Sequence, residues 1–525
     1  MLLLPRLLFV HAIIIAILGV LFGRQILEAQ FGIIDDHEIV WFLGNKSSLA
    51  WADILSTVMD KTEVGNPFES QRFRPFYYLA RATEAALWGD SASLWYAARF
   101  LMFATFIGCL LEGARRLVGL CAALALLAYV VMLPFWSGIW DRLGPAEIYA
   151  ACGLGIWFAS STSLLIDQVP RRRSFLGLTI GTFMMCGSKE TLLPFALLSI
   201  ALLVMRRHAM PTTRWYLAMI GCALPAGIIA SVMVLQLGAT GKDIYGNSVG
   251  FGGRTDLLID VAKQIIVSAT GLTAVAAIAW LWSEPAQWRR ATMAFAAASA
   301  SILLIFASQA VVYGRGTAMT GRYEFPALIC LPALWLAMTA YLGSVDRTQG
   351  AYLRLRQAAF MILVIVTHQL FTPEGDRSRV NAAELISAVE TNVETTQRFA
   401  NSLKKVVSQS RNDPSRPIIL ECRGGLSYEP IASVARFLRH ANVENPIAIR
   451  FSRLSTDPDS DFFNALSSTI ELLQDQGLEA RGDDPYKLLQ VLLKTFQADR
   501  GRGAMRLVPL KQIDAREQAI VWPLN

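Results

Sequence analysis

Asp35, Asp36 and Glu38 stand almost side by side in the stretch FGIIDDHEIVWFL, directly after the first long apolar run of the chain. Three carboxyl groups around His37 can take a proton from a hydroxyl, orient a polar ligand or bind a hard cation. Next to lipid such groups are costly unless they face water or a polar cavity. Two readings follow: a solvated loop of helix-capping acids, or a reactive site. The residues expected on the same side of the membrane favour the second.

Arg72 and Arg74 flank Phe73 in RFRPFYY, where both guanidiniums can fork onto phosphate and Tyr77 and Tyr78 supply amphipathic rings. The plain alternative is a pair of arginines snorkelling to headgroups. Lys189 and Glu190 sit between two short apolar runs, where an ion needs an internal partner or a ligand. Arg322, Tyr323 and Glu324 precede a late apolar run, placing a fixed cation at the outer leaflet, as a helix-end anchor or as an anion contact. Asp141, Arg142 and Glu147, around Gly144 and Pro145, rank lower as loop-shaping charges.

Membrane helices must position these groups. The 525 residues are 54% hydrophobic and only 17% charged, with a mean hydropathy of +0.41, too apolar for a soluble enzyme. The first run, residues 1–23, reads as a retained signal anchor with a cytoplasmic N-terminus. Further runs at 92–112, 116–136, 145–166, 174–188, 190–205, 216–238, 261–282, 291–312, 325–342 and 355–371 bring the total to about eleven crossings of roughly 20 residues each. The pair 174–188 and 190–205 can alternatively form a re-entrant hairpin. Arginines such as Arg115, Arg116, Arg171, Arg172, Arg173, Arg206, Arg289 and Arg354 then fall in the cytoplasmic loops, as the positive-inside rule requires. The acidic stretch, RFRPFYY, Lys189–Glu190 and Arg322 fall on the other side.

Within the first outer loop, about 24–90, Trp51 to Met59 and Phe76 to Leu87 show helical spacing suited either to interfacial helices or to helices packed on neighbouring protein, divided at Gly65-Asn66-Pro67. Beyond residue 372 the apolar pattern stops. Residues 373–525 are expected to form an extracytoplasmic α/β domain, with strands at 417–421 and 446–451 around a helix at 430–440 and further helices at 462–476 and 486–497. Gly424-Gly425 reads as a plain turn.

The formal charge of +7 reflects loop arginines and indicates no nucleic-acid partner. Six of the seven Cys lie within or at the ends of apolar runs, and the five His are scattered, which argues against a disulfide framework or a zinc site of sequence-local ligands.

The acidic pair after the first span, the structured outer loop, RFRPFYY, SKETLLP and GRYEFP together resemble the GT-C superfamily of polyprenyl-phosphate-sugar glycosyltransferases. The resemblance implies a mainly α, GT-C-like bundle over residues 1–372. One of Asp35 and Asp36, with Asp35 favoured, would be the general base that deprotonates an acceptor hydroxyl, with Glu38 in reserve. Lys189, Arg322 and Arg72 or Arg74 would embrace the lipid phosphate, with Glu190 and Tyr323 beside them. The donor would be a polyprenyl-phosphate-linked sugar, the acceptor a glycan, lipid or protein, and the outcome inversion at the anomeric carbon. No cofactor is required, and a divalent metal is possible but not demanded. The expected place is a bacterial inner membrane, with the site and the C-terminal domain facing the periplasm or exterior. A secondary transporter and an O-antigen polymerase or ligase are the alternatives; the first would carry midplane charges and related halves, the second would differ chiefly in donor.

Overall fold

The structure is a computed structural model that describes residues 3–67, 72–209, 211–240, 321–329, 331–344, 350–372, 378–423, 428–452 and 519–524, with isolated positions between 255 and 307. The expected spans at 261–282 and 291–312 and the expected helices at 462–476 and 486–497 lie outside the described residues, as do Arg289 and Gly424-Gly425.

The chain is mainly helical. A long first helix, α1 (Leu3–Glu28), leads through the loop of Asp35 and Asp36 into a short α2 (His37–Leu43), with Asp36 at its N-cap and Glu38 in its first turn. The outer loop then forms α3 (Ile54–Lys61) and α4 (Pro75–Trp88), near the expected positions. Trp51, Leu55 and Met59 remain exposed, as do Leu79 and Leu87, which leaves an apolar face open on this helix pair. Pro75 starts α4 because a proline at the first helical position gives up only an amide that no helix would use.

α5 (Ala92–Val118) and α8 (Glu147–Ile166) are long and apolar enough to cross a membrane. Between them α6 (Leu120–Val131) runs into Pro134 and turns by 53° into a segment ending in α7 (Ser137–Trp140). Pro134 cannot donate the amide a straight helix needs, so the chain bends and leaves 139–144 capping one end of the bundle. α9 (Arg172–Ser188) and α10 (Pro194–Met205) are shorter, joined through Lys189 and a 3-10 turn at Glu190–Leu192. α11 (Thr212–Thr240) follows, and after a turn at Gly321–Glu324 come α12 (Leu331–Ser344) and α13 (Gly350–Phe371). Among the described residues four helices have the length and apolarity of a span, or five counting the bent pair. They make this an integral membrane protein. The expected runs at 174–188, 190–205, 325–342 and 355–371 appear as shorter, interrupted or less apolar helices.

Phe22, Phe103, Trp136 and Trp140 fill the core beneath the capping segment; Phe22 stacks on Trp140 at 3.9 Å between ring centroids, and Phe103 meets Trp136 edge-on at 4.7 Å. Such pairs add to the burial of their large areas.

α14 (Ala382–Asn412) is 31 residues long and amphipathic, with Asn381 accepting from the Glu384 amide as its N-cap. Leu385, Val389 and Val393 join the bundle core. Val406 belongs to a second core with Ile418, Leu420, Leu438, Ile447 and Trp522, against which Leu403 and Val407 pack. That core lies on a parallel sheet of order β2-β1-β3, formed by β1 (Ile418–Arg423), β2 (Ile447–Ser452) and β3 (Ile520–Leu524). Ile418 pairs with Ile447 on one side and Ile520 on the other, and α15 (Tyr428–His440) connects β1 to β2, the βαβ unit read from sequence.

Trp140→Ala is expected to cost about 3–5 kcal/mol, the range for deleting a buried aromatic, whereas Leu27→Ala on the exposed face of α1 is expected to stay within about 0.5 kcal/mol. Thermal unfolding of the purified protein in one detergent checks both.

Candidate active site

The acids and the capping segment are built around each other. Asp36 is fully buried: one carboxylate oxygen accepts the Gly32 amide at 2.7 Å and the other the Leu143 amide at 2.8 Å. The same segment is held through its carbonyls. Arg81 donates to Leu143 O at 2.8 Å, Tyr77 to Gly144 O at 2.7 Å, Arg99 to Ile139 O at 3.0 Å and also to Arg142 O. Gln25 donates to Trp140 O at 2.8 Å and to the Asn392 side chain, which itself donates to Asp141 O. The last carbonyls of α7 and the non-helical backbone that follows need such partners when buried. Burial pushes the Asp36 carboxyl up to about 7, against the two amides and Arg81, which favour the charged form.

Asp35 points the other way. Its φ of 64° lies in the left-handed region that aspartate tolerates better than most residues, and this reversal sends consecutive carboxylates in opposite directions. A side chain at Gly144 would put its Cβ 2.0 Å from the Asp35 Cβ, so only glycine lets the two segments close. The Asp35 carboxylate, partly exposed, accepts from Arg322 at 2.9 Å and lies 3.5 Å from Arg142. Burial by itself would lower the Arg322 pKa, but Asp35 and Glu147 outweigh it and raise it. Lys189 is buried against Glu147 and lies 4.9 Å from the centre of the Tyr323 ring, over which Arg322 also sits at 5.4 Å. The start of α8, the end of α9, the acidic loop, the 139–144 segment and the 321–324 turn thus bring Asp35, Arg142, Glu147, Lys189, Arg322 and Tyr323 into one cluster.

The other expected residues border it. Tyr77 donates to Glu38 at 3.3 Å, and burial raises the Glu38 carboxyl. Arg74 is held by Glu63 at 2.8 Å and donates to Tyr78 at 2.9 Å, so it is part of a fixed pair and not presented singly to a ligand. Arg72 lies half-buried at the start of that segment. Glu190 is buried and acts by charge on Arg74, while Lys189 pairs with Glu147. No group of three or more His, Cys, Asp or Glu side chains among the described residues is placed to hold a metal ion.

Glu147 and Arg142, ranked lower in sequence, belong to the centre. Arg81, Glu84, Arg99 and Tyr149 carry no sequence motif; Glu84 accepts from the Tyr149 hydroxyl and burial pushes its carboxyl up to about 7. The available signal was an arginine inside an otherwise apolar helix, as at Arg99, a costly placement without a polar partner.

No protein-family model matches the chain, and no curated protein sequence does. Among solved structures it is similar to the crystal structure of ArnT from Cupriavidus metallidurans bound to undecaprenyl phosphate, with 14% sequence identity and a TM-score of 0.40, over 86% of this chain and 95% of that one.

Two outcomes separate the neighbouring acids. Asp36→Asn leaves a buried backbone amide without an acceptor and is expected to cost about 1–3 kcal/mol, while Asp35→Asn, at a partly exposed and screened pair, is expected to change stability by less than about 1 kcal/mol. Equal melting temperatures for the two variants would contradict this division. The pH dependence follows with a definite sign. Asp36 and Glu84 have folded pKa values of about 7, above those of the unfolded chain, so the native state binds their protons more tightly. That contribution is complete below about pH 4 and is lost as pH rises through about 7. Melting curves across this window should show a fall that flattens in part in Asp36→Asn.

Proposed function

We propose that this protein is a membrane glycosyltransferase of the GT-C type, transferring a sugar from a polyprenyl-phosphate donor to an acceptor hydroxyl on the extracytoplasmic side, with Asp35 as general base. The observation that carries the proposal is the placement of the Asp35 carboxylate 2.9 Å from Arg322, in one cluster with Arg142 and Lys189 at the ends of membrane helices. In this reading Arg322 and Lys189 receive the donor phosphate, Arg142 assists, and Tyr323 forms the wall between the two cations. Asp36 positions the site without touching substrate, and Arg72, Arg74 and Glu190 border the path of the acceptor.

The acceptor oxygen attacks the anomeric carbon as the bond from that carbon to the phosphate oxygen breaks, and the acceptor proton passes to Asp35. Attack opposite the leaving phosphate inverts the centre. Preorganised cations stabilise the charge gathering on the leaving group, and the base supplies about 10²–10⁴-fold. Of a glycan, lipid or protein acceptor, the reading requires only a hydroxyl that reaches Asp35.

The test is transfer by the purified protein from a polyprenyl-phosphate sugar to cell-envelope acceptors, read by mass spectrometry. Asp35→Asn is expected to lower kcat by about 10²-fold or more with the melting temperature maintained, and Arg322→Gln to raise the donor KM. Full transfer by Asp35→Asn would overturn the assignment of the base; unchanged donor dependence in Arg322→Gln would overturn that of the phosphate site.

A further inference from the structure

The ends of α8 and α9 remote from the carboxylate cluster enclose a second polar feature. α8 has 20 residues and rises about 1.5 Å per residue, so its far end lies about 30 Å from Glu147, on the other face of a bilayer. There, a cleft of roughly 460 Å³ opens between the last turns of α5 and α8 and the start of α9. Its two acids are already matched. Glu112 takes both arms of Arg115 at 2.8 to 3.0 Å, and Asp167 accepts from Arg116, whose other arm donates to Ser163. Arg171 and Arg173 line the same cleft, are exposed, and have no acidic partner among the described residues. Two guanidiniums therefore stand in excess.

The wall is fixed, since Arg206 donates to the carbonyls of Asp167 and Gln168. Its rim is apolar: Ile166 and Val169 line the cleft and are 44% and 81% exposed, and Leu165, next in the chain to Ile166, is 52% exposed. A soluble anion has no use for such a rim, whereas an anionic amphiphile uses both parts.

We propose that this cleft binds the phosphate of an anionic membrane phospholipid. Arg171 and Arg173 fork onto its oxygens, Gln168 offers an amide, and the exposed aliphatic side chains lie along the acyl chains. Guanidinium favours phosphate through paired, charge-assisted hydrogen bonds. The site is separate from the proposed transferase centre, so its test needs no activity.

Full-length protein in detergent is supplied with phosphatidylglycerol, phosphatidylcholine or inorganic phosphate, and retained lipid is read by native mass spectrometry beside the melting temperature. Phosphatidylglycerol is expected to be retained over phosphatidylcholine and to raise the melting temperature. The double variant Arg171→Gln with Arg173→Gln is expected to lower its retention about tenfold, and Val169→Asp, which keeps both arginines but sets a like charge at the rim, to lower it as well. Unchanged retention in both variants, or equal retention of the two lipids, would overturn the proposal. A thermal shift from inorganic phosphate alone, lost in the double variant, would overturn the lipid assignment in favour of a soluble phosphate.

Discussion

The backbone of residues 139–144 is the constraint on which the site depends. It runs from the last turn of α7 into non-helical backbone, lies at the end of a helix bundle and is largely shielded from water, so its peptide groups need partners that regular structure would otherwise provide. They come from α1 (Gln25), the acidic loop (Asp36), α4 (Tyr77 and Arg81), α5 (Arg99) and α14 (Asn392). Each partner is polar or charged, and each would be costly to bury without the carbonyl or amide it meets. The segment and its clamps thus stabilise one another. Through Gly144 this shared structure also fixes where Asp35 can be.

The C-terminal part enters the same arrangement. Asn381 donates its amide to Met132 O and Ser137 donates to Glu384, so α14 begins against the bend at Pro134. On the other side, Ser433 donates to Ile33 O, His440 meets Gly44 O at 2.6 Å, and Arg436 and Arg439 lie over the Trp41 ring at 4.8 and 5.2 Å. The acidic loop is therefore held between bundle and sheet. The boundary expected near residue 373 follows a change in composition. Packing follows α14 instead, whose first half belongs to one core and second half to the other.

What could be read from the sequence follows from this. The proximity of Asp35, Lys189 and Arg322 was legible because charge at the end of an apolar run is costly and therefore conspicuous, and Tyr323 adjoins Arg322 in the chain. The helices α3 and α4 and the βαβ unit were legible because their apolar spacing is local. The different surroundings of Asp35 and Asp36 were not, since they turn on one positive φ and on an amide at Leu143, 107 residues away. Glu147 looked like an ordinary loop charge because its partner, Lys189, is brought to it by the pairing of α8 with α9. Arg74 had the sequence features of a phosphate ligand, yet Glu63 neutralises it within the same loop.

Charge balance explains why a carboxylate belongs among the cations. Arg142, Lys189 and Arg322 face Asp35, Asp141 and Glu147, a cluster that is formally neutral before any ligand arrives. In the proposed transfer the donor enters as a phosphodiester and leaves as a phosphomonoester, which gains one negative charge. At the same step Asp35 gains the acceptor proton and loses its negative charge. The total within the cluster is unchanged, so the reaction moves charge from the carboxylate to the phosphate over the few ångströms spanned by Arg322. That guanidinium can stay in place and exchange one anionic partner for another. Little reorganisation is then required of the surroundings, which is the condition under which fixed cations contribute most to lowering a barrier.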